Sequence, residues 1–495
     1  MLYEKKNEPI KVSSFFVPFY SFFIHIFFSV FSQLMDMMVC SRGMVVIVEM
    51  LRVLLLFFIF IGTQFFIIHF ANAEEIKVKP GTSIQAAIEE ANDGATIFVE
   101  KGQYNGNLVI NKSIQLKGED GAIIAGDGEG NVIELTAPKV TIENFIIEQS
   151  GRRDIDAGIL VSSSHNLIQN NVLKEVHYGI YVAKASQNQI VNNHISSYDG
   201  HFSAKGNGVH LFYADGTELI GNKIEQVQDG IYFDFATNSI LKGNSVEGSR
   251  YGYHVMYAKQ GVLTENVSTK NITGLMIMEA KDFDINRNII TENLDFRGHG
   301  ILIFDSDRIT LINNRVTFNN TGLSLQDARD CKIEQNVFAG NYVGLDLKDK
   351  NEHNMMINNN FIGNIVQTKI FTKVEPMDLN GQGNYWDDYS GMDLNGDGIG
   401  EIPYESGKLF DTLVEENPTL QFFFESPTIK LWSSIEKIFP AFSSEKGMDR
   451  YPYVQPVHYN ADMQETELIG RNWMAALLGV IMISVGVYIF YRGRV

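Results

Sequence analysis

The sequence predicts an all-β fold, a right-handed parallel β-helix entered through a short capping helix. Three observations predict it. Nine glycines form a spine, Gly158, Gly179, Gly208, Gly230, Gly252, Gly274, Gly300, Gly322 and Gly344, mostly 22 residues apart. An alternating strand follows each, as in Gly230-Ile-Tyr-Phe-Asp and Gly300-Ile-Leu-Ile-Phe. Usually 14 residues after the glycine stands an asparagine: Asn193, Asn222, Asn244, Asn266, Asn288, Asn314, Asn336, Asn358. A fixed period of this length with strand signals means stacked coils, and right-handed crossovers are the default for parallel strands.

The elements follow in order. Thr82-Ser83-Ile84-Gln85 has the form of a capping box, and Ile84, Ala87, Ile88 and Ala91 recur at helical spacing, so a helix over 83–92 should cover the open end of the coil. Asn92-Asp93-Gly94 stops it, and 95–99 is the first strand. Weaker coils follow at 107–116 and 131–147. From Gly158 onward, the residues one and three places after each glycine are apolar, as are those eleven places after it (Leu219, Leu241, Leu263, Ile285, Leu311, Ile333, Met355). Period two sends them into the lumen, each contributing roughly 1.5–3 kcal/mol on burial. A small residue at the sixth place, from Ala185 to Ala328, suits a tight corner. The asparagines are scaffold: they suit a bend and can stack as an amide ladder. Two intervals carry insertions, around His201–Lys205 and around Phe296–His299, which in a solenoid become loops on one face.

Four regions result. Residues 1–73 are a leader: an apolar run at 53–70, Arg52 before it and Ala71-Asn72-Ala73 after it match a secretory signal. The second apolar stretch upstream, at 12–35, suggests translation from Met44 or Met50; an extra membrane anchor is the other reading. Residues 74–370 are the solenoid, 371–460 a C-terminal extension, and 461–495 a linker and anchor. In that anchor Trp473–Tyr491 is uncharged and long enough to span a bilayer, with Arg492 and Arg494 behind it. The positive-inside rule then places the C-terminus in the cytoplasm and the solenoid outside the cell membrane. Of two cysteines, Cys40 lies in the leader, which leaves Cys331 without an internal disulfide partner. A formal charge of −19 excludes nucleic acid as a partner class.

Candidate chemistry lies on the outward columns. Two places after the glycine stand His210, Tyr232, His254 and Met276; four places after it stand Phe212, Asp234, Met256 and Met278. Coils stack about 4.8 Å apart and residues i and i+2 share a face. His254, Met256, Met276 and Met278 therefore form a two-by-two solvent-facing patch, with His210 and Asp234 at its margin. Thioethers and imidazole suit Cu(I); a Met-rich stripe packed under a loop or partner is the other reading. Asp393, Asn395, Asp397 and Glu401 match the first half of a calcium loop, but Tyr404 stands where the bidentate Glu belongs, so a structural Ca²⁺ and a metal-free turn both fit. Asp229, Asp234, Asp305, Asp307 and Asp346 are dispersed and mostly at turns, so no catalytic carboxylate pair is evident.

Several segments are more specific than the repeat: Arg250-Tyr-Gly-Tyr-His254-Val-Met256-Tyr257, Gly274-Leu-Met276-Ile-Met278, Gly230-Ile-Tyr-Phe-Asp234, and Gly383-Asn-Tyr-Trp386-Asp-Asp-Tyr389 leading into the Asp393 loop. On these the chain, from residue 74 to about 457, resembles the NosD family of β-helical accessory proteins. The resemblance implies a non-enzymatic role outside the cytoplasmic membrane, beside an ABC transporter of ATPase and membrane subunits. There it would support assembly of the copper-sulfide centre of nitrous oxide reductase, with a copper chaperone as a further partner. The C-terminal span departs from soluble members. Phe422, Phe423, Phe424 and Trp432 would be the surface docking on the transporter's membrane subunit, or a self-packed cap. The alternative is a surface carbohydrate-binding or lyase/epimerase-like β-helix protein, since the opening helix is similar to the start of such enzymes.

Overall fold

The computed structural model describes residues 75–153, 155–370, 376–406 and 447–457, with Ser426, Thr428 and Leu431 besides. The leader, Phe422, Phe423, Phe424, Trp432 and Trp473–Tyr491 lie outside the described residues. Among the described residues no helix is long and apolar enough to cross a membrane.

The chain winds as an all-β parallel solenoid. Successive strands join three parallel sheets in turn, of 13, 12 and 13 strands, so a full coil contributes one strand to each. The lumen holds the predicted columns: Ile159, Val161, Ile231, Phe233, Ile301, Ile303, Leu241 and Leu311 are fully buried in one continuous core. The spine glycines are required by close approach. A Cβ on Gly230 would lie 2.3 Å from a Val246 methyl and 2.4 Å from the Gly252 carbonyl oxygen of the next coil.

The opening helix, α1, spans Ile84–Glu90 and buries Ile84, Ala87 and Ile88. Its N-cap is Ser83, whose Oγ accepts from the Ala86 N–H at 3.2 Å, so the expected capping box on Thr82 is displaced by one residue. Gln85, freed from that role, accepts from the Val109 N–H at 2.9 Å and ties the helix to the strand Leu108–Ile110.

The asparagine column is a ladder. Each side-chain oxygen accepts the backbone N–H of the asparagine one coil earlier, and each Nδ2 donates to the next oxygen: Asn244 N–H to Asn266 Oδ1 at 2.9 Å, Asn266 Nδ2 to Asn288 Oδ1 at 3.0 Å. The ladder residues themselves do not take the left-handed bend. The residue before each does, including Asn192, Gly221, Glu265 and Gln335. Five residues on runs a second ladder that the repeat reading passed over, through Asn271, Asn293, Asn319, Asn341 and Asn364.

At the last coil the expected register is wrong by one. Asn359, not Asn358, continues the ladder by accepting from the Asn336 N–H at 3.0 Å. Met356, not Met355, pairs with Ile333 and enters the core. That coil is 23 residues long rather than 22, and Asn358 sits at the left-handed bend with its side chain bonded to Tyr453.

Candidate functional site

Five strands of the 12-stranded sheet carry the outward patch: Val209–Phe212, Asp229–Asp234, Tyr251–Met256, Thr273–Met278 and His299–Phe304. Their register aligns His210, Tyr232, His254, Met276 and Leu302 in one row, and Phe212, Asp234, Met256, Met278 and Phe304 in the other. Both insertions fall at the corner that enters this sheet, one just before Val209–Phe212 and one just before His299–Phe304. The patch strands lie between them.

The first row is not solvent-facing as expected. His210, His254 and Met276 are only 7%, 6% and 8% exposed; Met256 and Met278 are partly buried. The cause is stacking along the sheet, which turns each side chain onto its neighbour one coil away. Tyr181 lies 4.6 Å from His210, His210 4.7 Å from Tyr232, and Tyr232 4.3 Å from His254, nearly parallel at 10°. Tyr251 meets the His254 ring edge-on. The Tyr232 hydroxyl donates to Met256 Sδ at 3.3 Å. Burial pushes the Tyr181 hydroxyl up to about 12 and Tyr232 higher still, with nearby Asp234 adding to both, so the phenols stay neutral donors.

A residue outside the expected set organises this row. Asp229 is buried and accepts from His254 Nδ1 at 2.9 Å, while Arg250 donates to both its oxygens from Nε and a terminal nitrogen, at 2.8 and 2.7 Å. Burial opposes its charge, yet the hydrogen bonds from His254 and Arg250 outweigh it and hold the carboxyl below the usual range. His254 Nε2 is buried with no hydrogen-bond partner. His210 Nε2 is likewise buried with no hydrogen-bond partner, and a second carboxylate, Asp234, stands off from it at 3.6 Å.

Among the described residues no three His, Cys, Asp or Glu side chains converge for a metal ion. A metal held on this face would therefore need thioether sulfur, which Met256, Met276 and Met278 supply. Cys331 is no substitute: it is buried, and burial pushes its thiol up to about 11.

The Asp393 loop is a self-contained turn. Asp393 accepts from the Gly396 and Gly398 N–H groups at 2.6 and 2.9 Å, Asn395 from Asp397 N–H, and Asp397 from Ile399 N–H. Glu401 takes no part in these bonds; its backbone N–H reaches the Met392 carbonyl at 3.1 Å. These bonds account for Asp393, Asn395 and Asp397 without an ion, and the calcium expectation finds no support. The Trp-Asp-Asp-Tyr segment is structural as well. Trp386 is fully buried and continues a ring stack from Phe361 at 4.2 Å to Tyr404 at 4.5 Å.

The described residues thus define a parallel β-helix protein with a soft-donor face on one sheet. Its sequence matches the model of a family described as periplasmic copper-binding protein (NosD) over residues 76–201 and 191–391. The chain is 37% identical to the probable ABC transporter binding protein NosD of Pseudomonas aeruginosa, over 72% of this chain and 87% of that protein. It is 34% identical to the protein of the same name from Stutzerimonas stutzeri, over 72% and 85%. The chain belongs to the NosD family. Among solved structures, a mannuronan C-5 epimerase A-module from Azotobacter vinelandii aligns over 58% of this chain and 90% of that one, at 14% identity and a TM-score of 0.48.

Proposed function

We propose that this protein is an accessory factor on the outer side of the cytoplasmic membrane. It would work with an ABC transporter to supply copper for the copper-sulfide centre of nitrous oxide reductase, as cargo taken from a copper chaperone. The observation that carries this reading is the buried His254, oriented by Asp229, with a free Nε2 beside a row containing Met276 and next to Met256 and Met278. Soft sulfur with one imidazole favours Cu(I) over harder cations. The names of the family and of its two relatives support copper and transporter association respectively. The uncharged Trp473–Tyr491 run supports a membrane tether with a cytoplasmic C-terminus. The loops that bracket the patch give a partner a place to approach.

The test is the double variant Met256→Leu/Met278→Leu in cells that depend on this gene product. The swap keeps size and apolarity and should cost under about 1.5 kcal/mol per site, while removing both sulfurs. Reductase polypeptide should accumulate at normal levels with reduced copper. Full copper loading would end the metal reading of these sulfurs. Loss of transporter association with unchanged copper affinity would make the stripe an interface instead.

A further inference from the structure

The two stacked histidines are not equivalent. We propose that Asp229 and Asn207 hold them in opposite tautomers, so that His254 alone offers a nitrogen lone pair to a soft metal and Asp229 is its positioning residue. The metal half of this statement rests on the copper reading above; the tautomers stand on hydrogen bonds alone.

The Asp229 carboxylate sets the His254 tautomer. Asp229 is ionised and can only accept, so His254 Nδ1, 2.9 Å away, carries the hydrogen. Arg250 occupies both oxygens of Asp229 and fixes the carboxylate plane. Nε2 then bears the lone pair, and it is buried without a donor or acceptor. A carboxylate on the far nitrogen is also how metal-ligating imidazoles are held and made more basic.

The Asn207 amide sets the His210 tautomer. Asn207 Oδ1 accepts the Asp229 backbone N–H at 3.2 Å, which settles which end of that amide is oxygen. Its Nδ2 therefore faces His210 Nδ1 at 3.2 Å and donates to it. The ring hydrogen of His210 is left on Nε2, which is buried without a hydrogen-bond partner, the Asp234 carboxylate standing off at 3.6 Å. A nitrogen that carries a hydrogen cannot ligate. His210 thus drops out of the donor set, although it shares a column and comparable burial with His254.

The tautomers are read directly from imidazole ¹⁵N shifts of the full chain, ¹⁵N-labelled at histidine, with His210→Gln and His254→Gln giving the assignments. Wild type should show Nδ1–H at His254 and Nε2–H at His210. Asp229→Asn should abolish the exclusive Nδ1–H form at His254. Asn207→Asp replaces the donor facing His210 by an acceptor and should move a proton onto His210 Nδ1. Nε2–H at His254 in wild type, or an unchanged pattern in Asp229→Asn, overturns the proposal. Cu(I) competition titration is the second arm, where Asp229→Asn should weaken binding about 10- to 100-fold. Unchanged Cu(I) affinity in that variant overturns the positioning role. If wild type binds no Cu(I), the copper reading fails, and the nitrogen shifts still decide the tautomers.

Discussion

A single imidazole shows how far this scaffold perturbs a side chain. His299 opens one of the patch strands and is partly buried, and burial, with Lys348 adding to it, pushes its pKa down to about 4. The folded value lies below the unfolded one, so the unfolded chain binds the extra proton between them. Stability is intact above about pH 6.5 and is lost as pH falls toward 4, on the order of 2 kcal/mol. Thermal melts from pH 7 to 4.5 should therefore fall less steeply for His299→Gln than for wild type; parallel curves would remove His299 from the acid response. The same strands show what was legible at this scale. His254, Met256, Met276 and Met278 follow from counting two and four places past the glycine. Asp229 did not, because it stands one place before the glycine, where a turn aspartate is the ordinary expectation. Alternation gave no signal for it: position −1 shares the parity of the inward places one and three, and it is the bonds to His254 and Arg250 that show Asp229 turned to the outer side. Burial of the row was not legible, since alternation separates in from out without saying what leans across the outside.

At the scale of one rung, the asparagine ladder is the element that ties coil to coil. Asn266 bonds in both directions: its Oδ1 takes the Asn244 N–H, and its Nδ2 serves Asn288 Oδ1 and the Leu241 carbonyl, both at 3.0 Å. Replacing it by alanine takes the acceptor from the buried Asn244 N–H and one bond from Asn244 Nδ2, and takes the side-chain donor from the Leu241 carbonyl, while Asn288 Oδ1 keeps only the backbone N–H of residue 266. Unsatisfied buried groups cost about 1–3 kcal/mol each where no water can enter, so Asn266→Ala should destabilise by about 2–4 kcal/mol. Asn266→Asp should do at least as much harm, because a buried carboxylate has no donor for the two acceptors. Urea unfolding measures both, and a loss below 1 kcal/mol, of the order expected for a surface site, would mean the ladder follows the coil rather than holding it. The 22-residue period made the ladder legible because each rung repeats one residue type. The final coil was misplaced because one added residue shifts every later column, and neighbouring Asn358 and Asn359 give composition no means to choose.

Across the whole solenoid, the ladder and the ring stack end on the same carboxylate. Asn384 is the last rung, and its N–H donates to Asp449 Oδ2 at 2.8 Å; Trp386 Nε1 donates to the same oxygen at 2.9 Å, and Tyr451 N–H to Oδ1 at 3.0 Å. Asp449 arrives on a two-stranded antiparallel pair, Tyr404–Ser406 with Gly447–Asp449, and the neighbouring Arg450 grips buried Asp378. The terminal segment thus closes the coil through one carboxylate that accepts from three residues, Asn384, Trp386 and Tyr451. Burial raises the Asp449 carboxyl to about 6 in spite of those donors. Its folded pKa exceeds the unfolded one, so this group contributes most below about pH 4, and that contribution is lost as pH rises through 6. Its slope opposes that of His299 over the same window and conceals part of it in wild type. Asp449→Asn removes the charge but turns an amide N–H₂ toward one of the donors. Local opening of the closure, followed by hydrogen exchange at residues 384–387 and corrected for the intrinsic pH dependence, should be easier in the variant at pH 4. The gap should narrow toward pH 7, where wild type carries the buried charge, by on the order of 2–3 kcal/mol at most. A gap that stays constant from pH 4 to 7 would show that Asp449 does not titrate in this range and that its charge does not set the pH response of the closure.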